Sequence, residues 1–338
     1  MTRALIVGCA GAALSGEERD FLKEASPWGL ILFKRNVVDR EQLRALTDAF
    51  RGIVGRADAP VLIDQEGGRV QRMGPPNWPA FPAAARFDAE IAGKRALEAV
   101  RLAARLIAHD LAEVGVNVDC APDLDVADEA THAVIGTRAY GRDPARVAAL
   151  GRAAMEGLIE GGVAPVIKHV PGHGRARADS HFELPIVMSS RGELAERDFA
   201  PFHALRDAPL AMTAHVVYSA IDPVHPATTS PIVIKEIVRG AIGFDGLLMT
   251  DDISMKALGG PLGQRAEAAF AAGVDIALHC NGLLEEARAV AAASPELGGV
   301  SLQRAEAAMR AISKGPAPFD VAKGRASLAA LFPDAATV

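Results

Sequence analysis

The sequence predicts an α/β protein folded as a single (β/α)8 barrel, with its active site at the C-terminal ends of the strands. Eight short apolar runs recur along the 338 residues: 4–8, 29–33, 60–64, 116–119, 164–168, 210–213, 246–250 and 274–278. Most are uniformly apolar, as expected of parallel strands buried on both faces. The runs also end in polar side chains. These are Lys34-Arg35-Asn36, Asp64-Gln65-Glu66, Asp119 with Asp123 and Asp125, Lys168-His169, His215, Asp251-Asp252 and His279-Cys280-Asn281. Such groups are costly at the ends of buried strands unless they share a wet cavity. In a barrel those ends converge on one face. The competing architecture is a doubly wound open sheet, whose usual G-x-G-x-x-G turn is missing, since the first run leads into Gly8-Cys9-Ala10-Gly11.

Taken in order, the N-terminal run follows a positive residue and precedes Cys9, superficially like a lipoprotein cleavage box. Its apolar part is shorter than the roughly 7 to 15 residues of an export signal, so a first buried strand is expected. Residues 94–113 place Leu97, Val100, Ala104, Ile107 and Leu111 on one helical stripe. Asp143-Pro144 reads as an N-cap followed by proline at the first helical position. Ser190 with Glu193 reads as a capping box. No linker, repeat or low-complexity segment divides the chain, so residues 1–338 are expected to form one catalytic domain. Residues 316–338 are expected as a tail packed outside the barrel through Leu328, Leu331 and Phe332.

Lysine and arginine number 36 against 42 acidic residues, a formal net charge of −6. With both signs mixed and no basic stripe, nucleic acid is not an expected partner. No apolar run approaches the roughly 18 residues of a membrane span. Cys9, Cys120 and Cys280 are far apart and odd in number, which fits reduced thiols in the cytoplasm better than a disulfide framework.

The densest chemistry lies in KHVPGHGRARADSH, residues 168–181. Asp179 and His181 are two apart, and in an extended segment such residues point the same way. A carboxylate beside an imidazole raises its basicity and orients it, as a general acid/base requires. Gly172 and Gly174, around His173, are expected to let this loop carry His181 into and out of the pocket. Asp64 and the pair Asp251-Asp252 are carboxylates at strand ends, with the pair able to divide one catalytic and one structural role. Arg69, Arg72 and Arg138 are candidate hydroxyl or anion binders, with Gly67-Gly68 turning the chain so that Arg69 or Arg72 returns over the pocket. A zinc site on His169 and His173 would need a helix, which Pro171, Gly172 and Gly174 oppose, so no metal is expected. His215 and His279 could line the pocket or sit satisfied in the core. Carboxylates around a polyhydroxylated ligand suggest a glycosidase, with Asp251 as one partner and the Asp179–His181 dyad as the other.

Six motifs, in order, resemble bacterial NagZ-type β-N-acetylglucosaminidases of glycoside hydrolase family 3: IDQEGGRVQR (63–72), APDLDV (121–126), GTRAYG (136–141), KHVPGHG (168–174), DSH (179–181) and TDDISM (250–255). The resemblance implies a nucleophilic Asp251, an acid/base His181 oriented by Asp179, and sugar binding by Asp64, Arg72, Arg138, Lys168 and His169. It implies removal of terminal N-acetylglucosamine (GlcNAc) from GlcNAc-1,6-anhydro-N-acetylmuramic acid muropeptides in the cytoplasm during cell-wall recycling, without a cofactor. Val170 departs from the family's usual phenylalanine, which bears on loop packing more than on chemistry. The added Arg175 and Arg177 are expected to be solvated. Alternatives are a phosphorylase on the same site, a non-catalytic sugar-binding barrel and a metal-dependent hydrolase. The substrate's acetamido group could also replace Asp251 as nucleophile. Nothing in the sequence marks an oligomer interface.

Overall fold

The computed structural model of the protein describes residues 1–180 and 182–333. Eight parallel strands close into a barrel: β1 (Arg3–Gly8), β2 (Pro27–Leu32), β3 (Val61–Ile63), β4 (Val118–Asp119), β5 (Ala164–Val170), β6 (Leu210–Thr213), β7 (Leu247–Asp252) and β8 (Ile276–His279). Each strand pairs with its neighbours in sequence, and β8 returns to β1 through the register Leu5 to Ala277. All eight expected runs are therefore strands, and the expected barrel is the observed one.

Uniform apolarity has its cause in the two faces of the sheet. Ala4, Ile6, Leu62, Val166, Met212, Met249 and Ile276 belong to one buried cluster. Their alternates, such as Leu5, Val7, Ile63, Ile167, Leu248 and Ala277, belong to another that includes the surrounding helices. Successive strand residues point to opposite faces, so both clusters draw on every strand but β4, which gives Val118 to the first and turns Asp119 the other way.

Helix ends follow the expected chemistry. Asp143 caps the helix Pro144–Glu160 by accepting from the Arg146 N–H. The Ser190–Glu193 capping box is formed, although the helical turn it opens is only Arg191–Glu193 before the geometry changes. The helix Lys94–Glu113 buries all of its expected stripe except Leu97, which is half-buried. It also buries Asp110, which accepts a 2.6 Å hydrogen bond from Arg325 of the C-terminal helix Val321–Leu331. Beyond that helix, Phe332 is buried with its ring 5.0 Å from that of Phe87. Among the described residues no helix is long and apolar enough to cross a membrane.

Candidate active site

At the C-terminal ends of the strands a cavity of about 270 Å³ is lined by Phe33, Asp64, Arg69, Arg72, Arg138, Lys168, His169, Asp251 and Asp252, among others. The strand ends thus bring together six of the eight residues predicted from the sequence: Asp64, Arg72, Arg138, Lys168, His169 and Asp251. His181 lies outside the described residues. Asp179 is described but does not line this cavity; its carbonyl accepts the N–H groups of Phe182 and Glu183 in a tight turn. A larger groove of about 560 Å³ lies outside the barrel, between residues 75–82 and the C-terminal helix. Among the described residues its lining includes Arg40 and Arg325, both directed at Asp110, but no carboxylate or histidine, whereas the smaller cavity gathers several.

The approach to this site is built by a hairpin. Gln65–Gly67 pairs antiparallel with Val70–Gln71 across Gly67 (φ 92°) and Gly68 (φ 56°), conformations that favour glycine. The Gln65 side chain fixes the return strand by accepting from the Arg72 and Met73 N–H groups at 2.9 and 3.0 Å. Arg72 is thereby brought back over the pocket, stacked 5.3 Å from the Phe33 ring centroid. Arg69 also returns to the pocket wall, donating to the Ala133 carbonyl at 2.9 Å and to that of Val134.

A ladder of alternating charges runs along the pocket floor. Arg72 donates to one Asp64 oxygen at 2.9 Å, and Lys168 donates to the other at 2.9 Å. Lys168 lies 2.6 Å from Glu66. Glu66 in turn receives Arg138 at 2.7 and 2.8 Å, and Arg138 lies 3.6 Å from Asp123. Burial pushes the Asp64 carboxyl up, but Lys168 and Arg72 outweigh it and hold the group well below the usual carboxylate range. Glu66 is held low in the same way, against burial, by Arg138 and Lys168. Burial pulls the Lys168 ammonium down, yet the two carboxylates raise it overall. All three groups therefore stay ionised near neutral pH.

Glu66 is one residue that sequence reasoning missed. The i, i+2 rule applied to Asp179 and His181 also applies to Asp64 and Glu66 on an extended segment, and both reach Lys168.

Asp125 is a second omission. One of its oxygens lies 2.7 Å from His169 Nδ1. The other accepts the backbone N–H of His173 at 2.6 Å and that of His169 at 3.3 Å. Burial pushes Asp125 up to about 6 and His169 down to about 4, so at neutral pH the carboxylate is charged and the imidazole neutral. With Nδ1–H donating to Asp125, the neutral His169 keeps Nε2 as a hydrogen-bond acceptor. Burial and the neighbouring Asp125 raise Asp123 to about 7. Asp123, Asp125 and His169 offer ligand atoms within 4.8 Å of one another, the one such group in this site among the described residues. Their mutual hydrogen bonds and the nearby Arg138 already account for the arrangement. His169 and His173, the pair weighed for zinc, are stacked edge to face 5.8 Å apart, with His169 on a strand.

The two aspartates ending β7 differ in surroundings. Asp252 accepts from the N–H groups of Ser254 and Cys280 at 3.0 and 3.1 Å, and from the Ser254 hydroxyl at 2.6 Å. These bonds fix the strand end. Asp251 accepts the Asp252 N–H at 2.7 Å and also faces the cavity. His215 is a satisfied core histidine, bonded to Thr228 at 2.7 Å and to the Asp252 carbonyl at 3.0 Å. His279 is also buried, 3.3 Å from Glu286.

One loop expectation needs correction. Arg175 is not solvated: it donates at 2.7 Å to Asp198, which is buried. Arg177, paired with Asp128, is exposed as expected. Gly172 and Gly174 have a packing role. A Cβ on Gly174 would lie 2.1 Å from the Val126 carbonyl oxygen, and Gly172 (φ 137°) sits against Asp198. Residues 170–174 are all buried.

The glycosyl hydrolase family 3 N-terminal domain model matches residues 5–314. A β-hexosaminidase from Alkalilimnicola ehrlichii is 42% identical over 285 residues, covering 82% of this chain and 80% of its own. A β-hexosaminidase from Pseudomonas aeruginosa is 38% identical over 309 residues, covering 90% and 87%. The crystal structure of NagZ from Neisseria gonorrhoeae with N-trifluoroacetyl-D-glucosamine superposes with a TM-score of 0.86 at 31% identity, covering 100% of this chain and 99% of that one. With a closed eight-stranded barrel and carboxylates gathered at its strand ends, the chain belongs to glycoside hydrolase family 3, as a hydrolase of the β-hexosaminidase kind.

Proposed function

We propose that this protein is a retaining exo-β-N-acetylglucosaminidase acting on peptidoglycan-derived GlcNAc-1,6-anhydro-N-acetylmuramic acid muropeptides in the cytoplasm. The observation that carries this reading is Asp251 at the wall of a cavity whose other polar groups form a rigid, mixed-charge frame. At about 270 Å³ the cavity is slightly below the roughly 300–1,000 Å³ typical of drug-sized ligands, which suits one terminal sugar ring. Asp64, Arg72, Lys168, Arg138 and His169 offer that ring both donors and acceptors. A charged and neutral mixture of this kind fits hydroxyls and an acetamido group.

In the first step the Asp251 carboxylate bonds to the anomeric carbon as the glycosidic C–O bond breaks, and His181 gives a proton to the departing oxygen. In the second, water bonds to the anomeric carbon, passes its proton to His181 and releases Asp251. Two inversions retain the β configuration. Asp179 orients His181 and stabilises its charged form. No cofactor enters either step.

The test is hydrolysis of an aryl β-N-acetylglucosaminide beside the matching β-glucoside, with chelator present and with phosphate either present or omitted. Release from the acetamido sugar alone, as free GlcNAc, supports the reading. GlcNAc-1-phosphate in phosphate buffer makes the enzyme a phosphorylase, and loss of activity with chelator restores a metal mechanism. A mass increase of one GlcNAc residue on the Asp251 peptide, trapped with a slow substrate, excludes attack by the acetamido group. Release from the natural disaccharide then tests the muropeptide assignment.

A further inference from the structure

His173 is 2% exposed, and its Nδ1 has no hydrogen-bond partner among the described residues. Its ring makes one polar side-chain contact there: Nε2 lies 3.3 Å from the Ser180 hydroxyl. Burial holds the imidazole neutral, at about 3. A buried ring with a single polar contact is an expensive way to fill space unless the contact matters. Its backbone N–H is meanwhile anchored on Asp125, the carboxylate that also holds His169.

Ser180 is itself buried, and its carbonyl accepts the Ala257 N–H at 3.2 Å. Ala257 lies six residues beyond Asp251, in the segment that follows β7. One serine thus joins two parts of the site: its side chain meets the segment after β5, and its backbone meets the segment after β7, the strand that carries the proposed nucleophile. In the sequence Ser180 stands between Asp179 and His181, the proposed acid/base pair.

We infer that His173 and Ser180 are positioning residues: their contact, with the Ala257–Ser180 hydrogen bond, docks the Asp179–Ser180 segment against the segment following Asp251 and so sets the alignment of the acid/base with the nucleophile. This rests on the acid/base assignment above. The expected effect falls on proton transfer and spares sugar binding.

The experiment compares kcat and kcat/KM for wild type, His181→Ala, Ser180→Ala, Ser180→Thr and His173→Leu, on an activated dinitrophenyl and an unactivated alkyl β-N-acetylglucosaminide. In Ser180→Ala and His173→Leu, kcat/KM is expected to fall at least tenfold on the alkyl substrate and under threefold on the dinitrophenyl one. On the latter, kcat and KM are expected to fall together, because the slow second step lets the glycosyl-enzyme accumulate. Ser180→Thr, which keeps the hydroxyl, is expected to recover most of the loss. Equal losses in kcat/KM on both substrates, or no loss on either, overturn the inference. If His181→Ala itself shows no dependence on the leaving group, the acid/base assignment fails instead, and the two failures are told apart.

Discussion

Glu66 grips the Arg138 guanidinium through two hydrogen bonds of 2.7 and 2.8 Å, while both side chains are largely removed from water. A bidentate carboxylate–arginine pair fixes orientation as well as charge. Glu66→Gln keeps the shape and removes the charge that Arg138 and Lys168 share. Breaking a buried ion pair from one side costs about 3–5 kcal/mol when nothing replaces the partner, and the isosteric amide is expected to bring this down to about 2 kcal/mol. Urea unfolding measures that loss. GlcNAc inhibition is expected to weaken about tenfold, since two cations lining the cavity lose their common support. Unchanged stability and unchanged inhibition together contradict the ladder's role.

The aspartates ending β7 are expected to separate cleanly. Asp251→Asn should fold normally and lose on the order of 10³-fold or more in kcat, as removal of a nucleophile does. Asp252→Ala strips three hydrogen bonds from the strand end. Hydrogen bonds to charged groups contribute about 1.5–3 kcal/mol each, so a loss of about 2 kcal/mol is expected once the site relaxes. Its kcat should remain well above that of Asp251→Asn. The reverse order of activities would exchange the two roles.

Gly174→Ala places a methyl 2.1 Å from a main-chain carbonyl oxygen that cannot turn aside. Overpacking of this kind costs about 1–3 kcal/mol. A fall in melting temperature of several degrees is expected. A variant as stable as wild type would show that residues 170–174 yield easily, as a hinge does.

His173 supplies a pH signature. Burial holds its folded-state value at about 3, against about 6.5 in the unfolded chain. Between those values the unfolded chain binds a proton that the folded chain does not. The contribution of His173 is therefore complete above pH 6.5 and is lost as the pH falls toward 3, by on the order of 1 kcal/mol per pH unit. In His173→Gln this dependence disappears. Urea unfolding of both proteins at pH 7, 6, 5 and 4 should show the difference moving in the variant's favour at each step. A constant difference would mean that the imidazole takes up its proton as readily in the folded chain as in the unfolded one.

The barrel was legible because each strand is buried on two faces and reads as unbroken apolarity, from Leu5 and Ile6 to Ala277 and Leu278. Site residues were legible where a charge closes such a run, as Asp64, Lys168 and Asp251 do. Glu66 and Asp125 were harder because their work is done on other side chains, across 72 and 44 residues of chain. Spacing reports neighbours along one segment, whereas these contacts exist only once the strands are side by side. Arg175 misled for the same reason: its partner Asp198 lies 23 residues on, and nothing local announces it.

The charge ladder from Arg72 to Asp123 also has an evolutionary consequence. Each inner member is neutralised from both sides, so replacing one leaves two neighbours exposed to each other's field. Effects of substitution along it cannot add. Asp64, Glu66, Arg138 and Lys168 are coupled strongly enough that a tolerated change at one is expected to require a matching change at the next. Substrate preference should accordingly drift through the cavity's apolar lining at Val70 and Met255, which stand outside the ladder.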